Sequence, residues 1–201
     1  GSLKRWSPFA QARNIFSCYL ERAGIANEER FEWDGGVGRQ VADALSISAK
    51  EVEGRLSVYR AMVSVSRVAG VGKDKIKDHY YSLFSQLIKG KKGSLGKYIV
   101  QDGRTLMFEP ASAQKMEDLC GFSSGRANSP IVNPQEWRAL GRILDDVEDK
   151  RAVNLARVEK GREPPSVVWA QREEELRKLE WASWLNKVRV ILGRIKMDQL
   201  D

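Results

Sequence analysis

The sequence predicts an all-α fold: a multi-helix domain containing a helix-turn-helix, with a long C-terminal helix and at most a small hairpin. Three observations carry that expectation. Apolar residues recur at three- and four-residue intervals through most of the 201 residues. Helix starts are marked by a capping residue followed by proline, at Ser7-Pro8 and Asn133-Pro134. Strand-like composition is confined to Tyr98-Ile99-Val100 and Thr105-Leu106-Met107-Phe108 around Asp102-Gly103, which reads equally as a small hairpin or as irregular chain.

The elements follow in order. Ser7 to Ala23 is a helix whose inner face is Phe9, Ala12, Ile15, Phe16, Tyr19 and Leu20, and Gly24 ends it. Phe31 and Trp33 lie in an acidic connector closed by Asp34-Gly35-Gly36. Helices are expected at about 37–46 and 48–68, with Gly70 and Gly72 stopping the second, then at about 73–89. The glycine-rich KGKKGSLGK, Lys89 to Lys97, reads as a loop, Ser112 to Cys120 as a short helix, and Gly121 to Pro130 as another loop. The helix capped by Asn133 carries Trp137, Leu140, Ile143, Leu144 and Val147 along one side, and the pattern breaks only at Gly161 to Ser166. A final helix at about 167–197 places Leu176, Leu179, Ala182, Leu185, Val188, Leu192 and Ile195 near a heptad rhythm. That helix either packs on its own domain or dimerises, and Trp181, Trp184, Leu185, Val188 and Leu192 are its candidate interface. The expected division is residues 1–125, holding the helix-turn-helix, and 126–201, a helical region for interaction or dimerisation.

Composition narrows the function. Hydrophobic residues at 42% and charged residues at 30% describe a folded globular chain. Apolar runs fall far short of the roughly 20 residues needed to cross a bilayer, and no signal sequence opens the chain, so a cytoplasmic protein is expected. Gly1-Ser2 reads as the scar of a removed tag, which leaves room for an upstream segment. Cys18 and Cys120 read as reduced thiols rather than a disulfide framework or a zinc site. One histidine, His79, excludes a multi-histidine metal cluster, and nothing around it resembles a nucleophile elbow. Gly70-Val71-Gly72-Lys73 lacks the spacing of a phosphate-binding loop and has Asp74 where a magnesium-holding hydroxyl belongs. No catalytic residue, metal or cofactor is expected.

The net charge of +7 is unevenly placed: +2 over residues 1–69, +5 over 70–144 and zero over 145–201. A polyanion meets the middle first. The sequence VADALSISAKEVEGRL, Val41 to Leu56, has the outline of a helix-turn-helix. Val41, Leu45, Ile47, Val52 and Leu56 form the apolar lock, Ala42 permits close approach, and Ser48 caps the second helix. Ser46 occupies the turn position where glycine is usual. Such a motif presents the start of its second helix to the major groove of DNA.

The flanks, WSPFAQARNIFSCYLERAG followed by GRQVADALSISAKEVEGRLSVYR, resemble the central DNA-binding domain of ParB-like proteins. The Ser7-Pro8 start, the Ala12-Arg13 pair and the motif itself carry the resemblance, with weaker likeness at Lys77–Phe84 and Val132–Leu140. It covers roughly residues 4–145 and is most specific between 6 and 60. It implies a helical duplex-DNA-binding module serving partition, transcriptional regulation or a mobile-element or defence system, associated with nucleoid or plasmid. In that family the domain follows a ParB/sulfiredoxin-fold domain, whose phosphate-binding Gly-Glu-Arg-Arg type of motif does not occur in this sequence. No nucleotide chemistry is therefore expected within these residues.

By motif position Ser48, Ala49, Lys50, Glu53, Gly54 and Ser57 are the base-edge candidates. Lys50 suits guanine and Glu53 suits cytosine N4. Arg39, Arg55 and Arg60 are the phosphate candidates near the motif; Lys73, Lys75, Lys77, Lys89, Lys91, Lys92 and Lys97 extend them. Glu51 and Glu53 offset Lys50 and Arg55, and Gly54 costs about 1 kcal/mol of helix propensity. The alternative expectations are a protein-interaction or dimerisation module and the targeting part of a larger nuclease or nucleotide hydrolase.

Overall fold

A computed structural model of the chain describes residues 6–72, 78–89, 99–120, 134–159 and 163–198. The described residues are helical apart from connecting segments: α1 (Pro8–Arg22), a single 3-10 turn (Glu28–Arg30), α2 (Gly35–Leu45), α3 (Ala49–Val68), α4 (Asp78–Lys89), α5 (Pro110–Cys120), α6 (Pro134–Leu144), α7 (Glu148–Glu159) and α8 (Pro165–Asp198). Asn133 and the expected loops at 90–97 and 121–130 lie outside the described residues.

Side-chain caps set the early boundaries. Ser7 Oγ accepts from the Ala10 N–H at 3.2 Å and opens α1, and Gly24, at φ 66°, takes the left-handed step that closes it. Asp34 accepts from the Gly36 and Val37 N–H groups at 2.6 and 3.1 Å, so α2 begins at Gly35, two residues before the expected start. Asp34 is itself held by α1: the Tyr19 hydroxyl accepts from its N–H at 2.6 Å and donates to the Glu32 carbonyl at 2.9 Å. Trp33 stacks on Tyr19 with centroids 5.5 Å apart and lies against α2. A Cβ at Gly38 would stand 2.4 Å from Trp33 Cη2, so the aromatic connector and the glycine require each other.

The centre of the molecule is α3. Every residue from Leu56 to Ser66 is buried, because α1, α2, α4 and α5 all pack against this one helix. A helix buried on every side must satisfy its polar groups internally. Ser64 Oγ donates to the Ala61 carbonyl at 2.6 Å and accepts from the Phe108 N–H at 3.2 Å. The segment 99–109 holds only an isolated bridge between Gln101 and Phe108, and no strand occurs among the described residues. Its side chains bond both to α3 and within the segment. Gln101 Nε2 donates to the Ser57 carbonyl at 2.9 Å, and Asp102 caps its own turn by accepting from Thr105 Oγ1 at 2.6 Å.

The C-terminal part departs from expectation twice. The helix opening near residue 134 ends at Leu144, and α7 is a separate helix. Val147, expected on the inner line, is 63% exposed in the joint between them. Asp146 makes that joint: its carboxylate accepts from the Val147 N–H at 2.9 Å and from Arg172 of α8. The second departure is α8 itself. Its start packs on α6 and α7, with Val168 and Arg172 buried and Glu136 accepting from the Ser166 N–H and hydroxyl at 2.9 and 2.8 Å. From Arg177 to Leu192 every side chain is exposed except half-buried Val188. Packing on its own domain thus holds for the first turns of α8 and fails from Arg177 to Leu192.

Among the described residues no helix is long and apolar enough to cross a membrane.

Candidate nucleic-acid interface

The motif is assembled by three local features. Val41, Val52 and Leu56 are fully buried, Ala42 is 4% exposed, and Leu45 and Ile47 are half-buried, so the apolar lock closes as the spacing predicts. Ser46 adopts the left-handed conformation, φ 53° and ψ 46°, and the Ile47 N–H donates back to the Ala42 carbonyl at 3.0 Å. Ser48 then turns the chain into α3, its hydroxyl accepting from the Glu51 N–H at 3.1 Å.

A serine in a left-handed turn pays a steric cost that glycine avoids. Ser46→Gly is expected to stabilise the protein by about 1 kcal/mol, raising Tm by about 3 °C in calorimetry. An unchanged or lower Tm would refute the geometry of the turn.

The lock leaves the first two turns of α3 open. Ser48, Lys50 and Glu53 are exposed, and Ala49 and Gly54 are half-exposed on the same stretch. No described atom lies within 4 Å of the position a Cβ would take at Gly54. Nothing inside the protein therefore demands glycine there; its absent side chain lowers the outer surface one turn on from Lys50. Glu51 is not free to repel a phosphate. It accepts from Arg55 Nη2 at 2.7 Å and Nε at 3.0 Å, and Arg55 Nη1 donates to Gln11 Oε1 of α1. The charges left on the open surface are Lys50 and Glu53, which cancel.

Comparison with family models, with curated proteins and with solved structures finds no match to this chain.

Two of the sequence-based candidates are misplaced. Ser57 is buried at 7% exposure and its carbonyl is taken by Gln101, so it cannot reach a base edge. Arg60 is 1% exposed, at the centre of the core. Its guanidinium lies 4.7 Å from the Phe31 ring centroid and 5.5 Å from that of Phe16, and its Nε donates to the Thr105 carbonyl at 3.1 Å. Burial pushes its pKa down to about 10, still far enough above neutrality to keep the charge. Arg60 therefore pins the 102–105 turn to α3 and holds no phosphate.

Arg39 is exposed on α2, as a phosphate contact requires. Lys73, Lys75, Lys77, Lys91, Lys92 and Lys97 lie outside the described residues, as does the side chain of Lys89 at the end of α4. Tyr81, in the first turn of α4, feels the charges of Arg55 and Glu51, so α4 starts beside the open end of α3; burial pushes the Tyr81 pKa up to about 12. Among the described residues no three His, Cys, Asp or Glu side chains come together to hold a metal.

Proposed function

We propose that this chain is a duplex-DNA-binding module of ParB-like type. One observation carries the reading: the start of α3 stands open, with Lys50, Glu53 and the bare backbone of Gly54 outermost, on a buried lock that fixes its angle to α2. A helix held this way fits the major groove, and a glycine on its outer face lets backbone approach base edges. Arg39 supplies a phosphate contact from α2. Because Lys50 and Glu53 cancel, most of the nonspecific attraction falls to the lysine-rich stretch 73–97, and the net charge of +5 over residues 70–144 supports that division.

The test is a titration of duplex DNA across a salt series, first on random sequence and then on sites selected from a library. Binding is expected to weaken with salt by about 0.9 in log–log slope for each phosphate contacted. A Lys89/Lys91/Lys92 triple alanine should lower affinity on all sequences alike and flatten that slope. Lys50→Ala should cost about 1–3 kcal/mol on a selected site and much less on random DNA. Gly54→Ala should raise Tm, since helix propensity improves by about 1 kcal/mol, while weakening the selected complex. No binding at low salt removes the proposal; a Gly54→Ala protein that binds as well as the parent removes the groove geometry.

A further inference from the structure

The exposed length of α8 is an apolar face without a cover. Trp181, Trp184, Leu185, Ile191 and Leu192 are each 54–61% exposed. With Val188 they fall within one third of the helix circumference, since successive residues turn by about 100°. Trp181 and Trp184 already pack edge to face, with centroids 5.6 Å apart. Isolated apolar residues on a surface mean little, but a continuous face of this kind marks an interaction site.

Two features say what covers it. The first is orientation. The residues that anchor α8 to the body, Val168 and Arg172, lie about 120–180° around the helix from Trp184 and Trp181. A second helix can therefore run along the exposed stretch of α8 without meeting α6 or α7. The second feature is charge. With Trp181, Val188 and Ile195 at one seam position and Trp184 and Ile191 at the other, the residues flanking the seam every seventh place are Glu173, Glu180, Lys187 and Arg194. This series is acidic in its first half and basic in its second, so it complements its own reverse. Two parallel copies would place Glu174 against Glu174 and Arg177 against Arg177 in the seam. The antiparallel register sets these residues opposite Ile191 and Val188 instead, so no like charges face each other there. Two antiparallel copies bring Glu180 to Lys187 and Glu173 to Arg194, each pair twice, with Trp181 opposite Trp184 at the centre.

We infer that the exposed face of α8 is covered by α8 of a second copy of this chain, running antiparallel in that register. The pairing spans residues 173 to 194 and holds the two bodies at opposite ends of the paired helices. It does not depend on DNA binding and is tested without DNA.

The experiment is sedimentation equilibrium of the full chain and its charge variants, with circular dichroism to show that each variant keeps its helix content. The parent is expected to be a dimer. Glu180→Lys and Lys187→Glu should each weaken it about tenfold or more at low salt, because each single swap turns two attractions into repulsions. The double variant E180K/K187E should regain most of the parent affinity, since reversed charges still meet in the antiparallel register. A parent that stays monomeric at about 100 µM overturns the inference and leaves the face to an unlike partner. A dimer indifferent to both single swaps, or a double variant weaker than either, overturns the antiparallel register. Trp184→Glu should give a folded monomer; a Trp184→Glu dimer as tight as the parent also overturns it.

Discussion

Replacing Arg60 by alanine is expected to lower stability by about 3 kcal/mol, near the upper end of what single substitutions do. The estimate rests on what the guanidinium holds. It donates to the Thr105 carbonyl and, more distantly, to the Glu28 carbonyl, and it lies over the rings of Phe31 and Phe16. Hydrogen bonds from a charged donor contribute about 1.5–3 kcal/mol each, and a desolvated cation over an aromatic face about 2. Against these stands the cost of burying the charge, which brings the net down. Arg60→Met keeps much of the volume and removes the charge, so it should lose less than Arg60→Ala. Arg60→Lys should not restore the parent, because an ammonium cannot present the planar fork that reaches two carbonyls while stacking on two rings. Chemical denaturation of the three variants measures the series. The same variants separate the two roles considered for this residue. A phosphate contact would leave stability unchanged and weaken DNA binding in proportion to salt; a core arginine gives the reverse at temperatures where the variant remains folded.

That misplacement of Arg60 shows what the sequence made legible and what it hid. The helix starts at Ser7 and Ser48 were readable because a capping hydroxyl acts within its own turn, and the structure places both caps as expected. The apolar lock of the motif was readable from spacing alone. Motif position puts Arg60 among the phosphate contacts, and the spacing of its polar neighbours agrees with that placement. Glu53, Ser57, Arg60, Ser64 and Arg67 recur every three or four residues, the pattern of a polar face, and it is the 101–108 segment, bonded to Ser57, Arg60 and Ser64, that covers it. Ser57, a base-edge candidate by motif position, is buried under the same segment. The division between α6 and α7 had no glycine or proline to announce it, only the pair Asp145-Asp146, whose role depends on an arginine 26 residues away. Exposure of α8 was invisible for a similar reason: its apolar stripe is the same whether the covering surface is in the same chain or another. Only the geometry of its anchored first turns separates those cases.

Removing the carboxylate of Asp146 is the second large effect expected, about 3 kcal/mol for Asp146→Ala. The side chains of Asp146 and Arg172 are each 6% exposed and meet through two hydrogen bonds, at 2.6 and 3.0 Å. Breaking a buried pair from one side costs about 3–5 kcal/mol, because the remaining charge is left without its partner. The low end applies here, since Glu175 Oε2 stays 3.2 Å from Arg172 Nη1 and shares its charge. The pH dependence supplies a sharper check. The Arg172 hydrogen bonds hold the Asp146 carboxyl below the usual carboxylate range, so the folded chain releases this proton more readily than the unfolded one. The stability it contributes is therefore fully present above about pH 4 and is lost as pH falls through the depressed folded value. Asp146→Asn resembles the protonated parent at every pH. Thermal melts of the two proteins should differ most near neutrality and converge in acid, and a gap that persists below about pH 3 would assign the loss to shape rather than charge. The consequence reaches α8. Glu136 still caps its first turn, but without Asp146 the joint between α6 and α7 no longer grips the helix at Arg172, so Asp146→Ala should free the start of α8 to exchange its amide hydrogens faster while α3 remains protected.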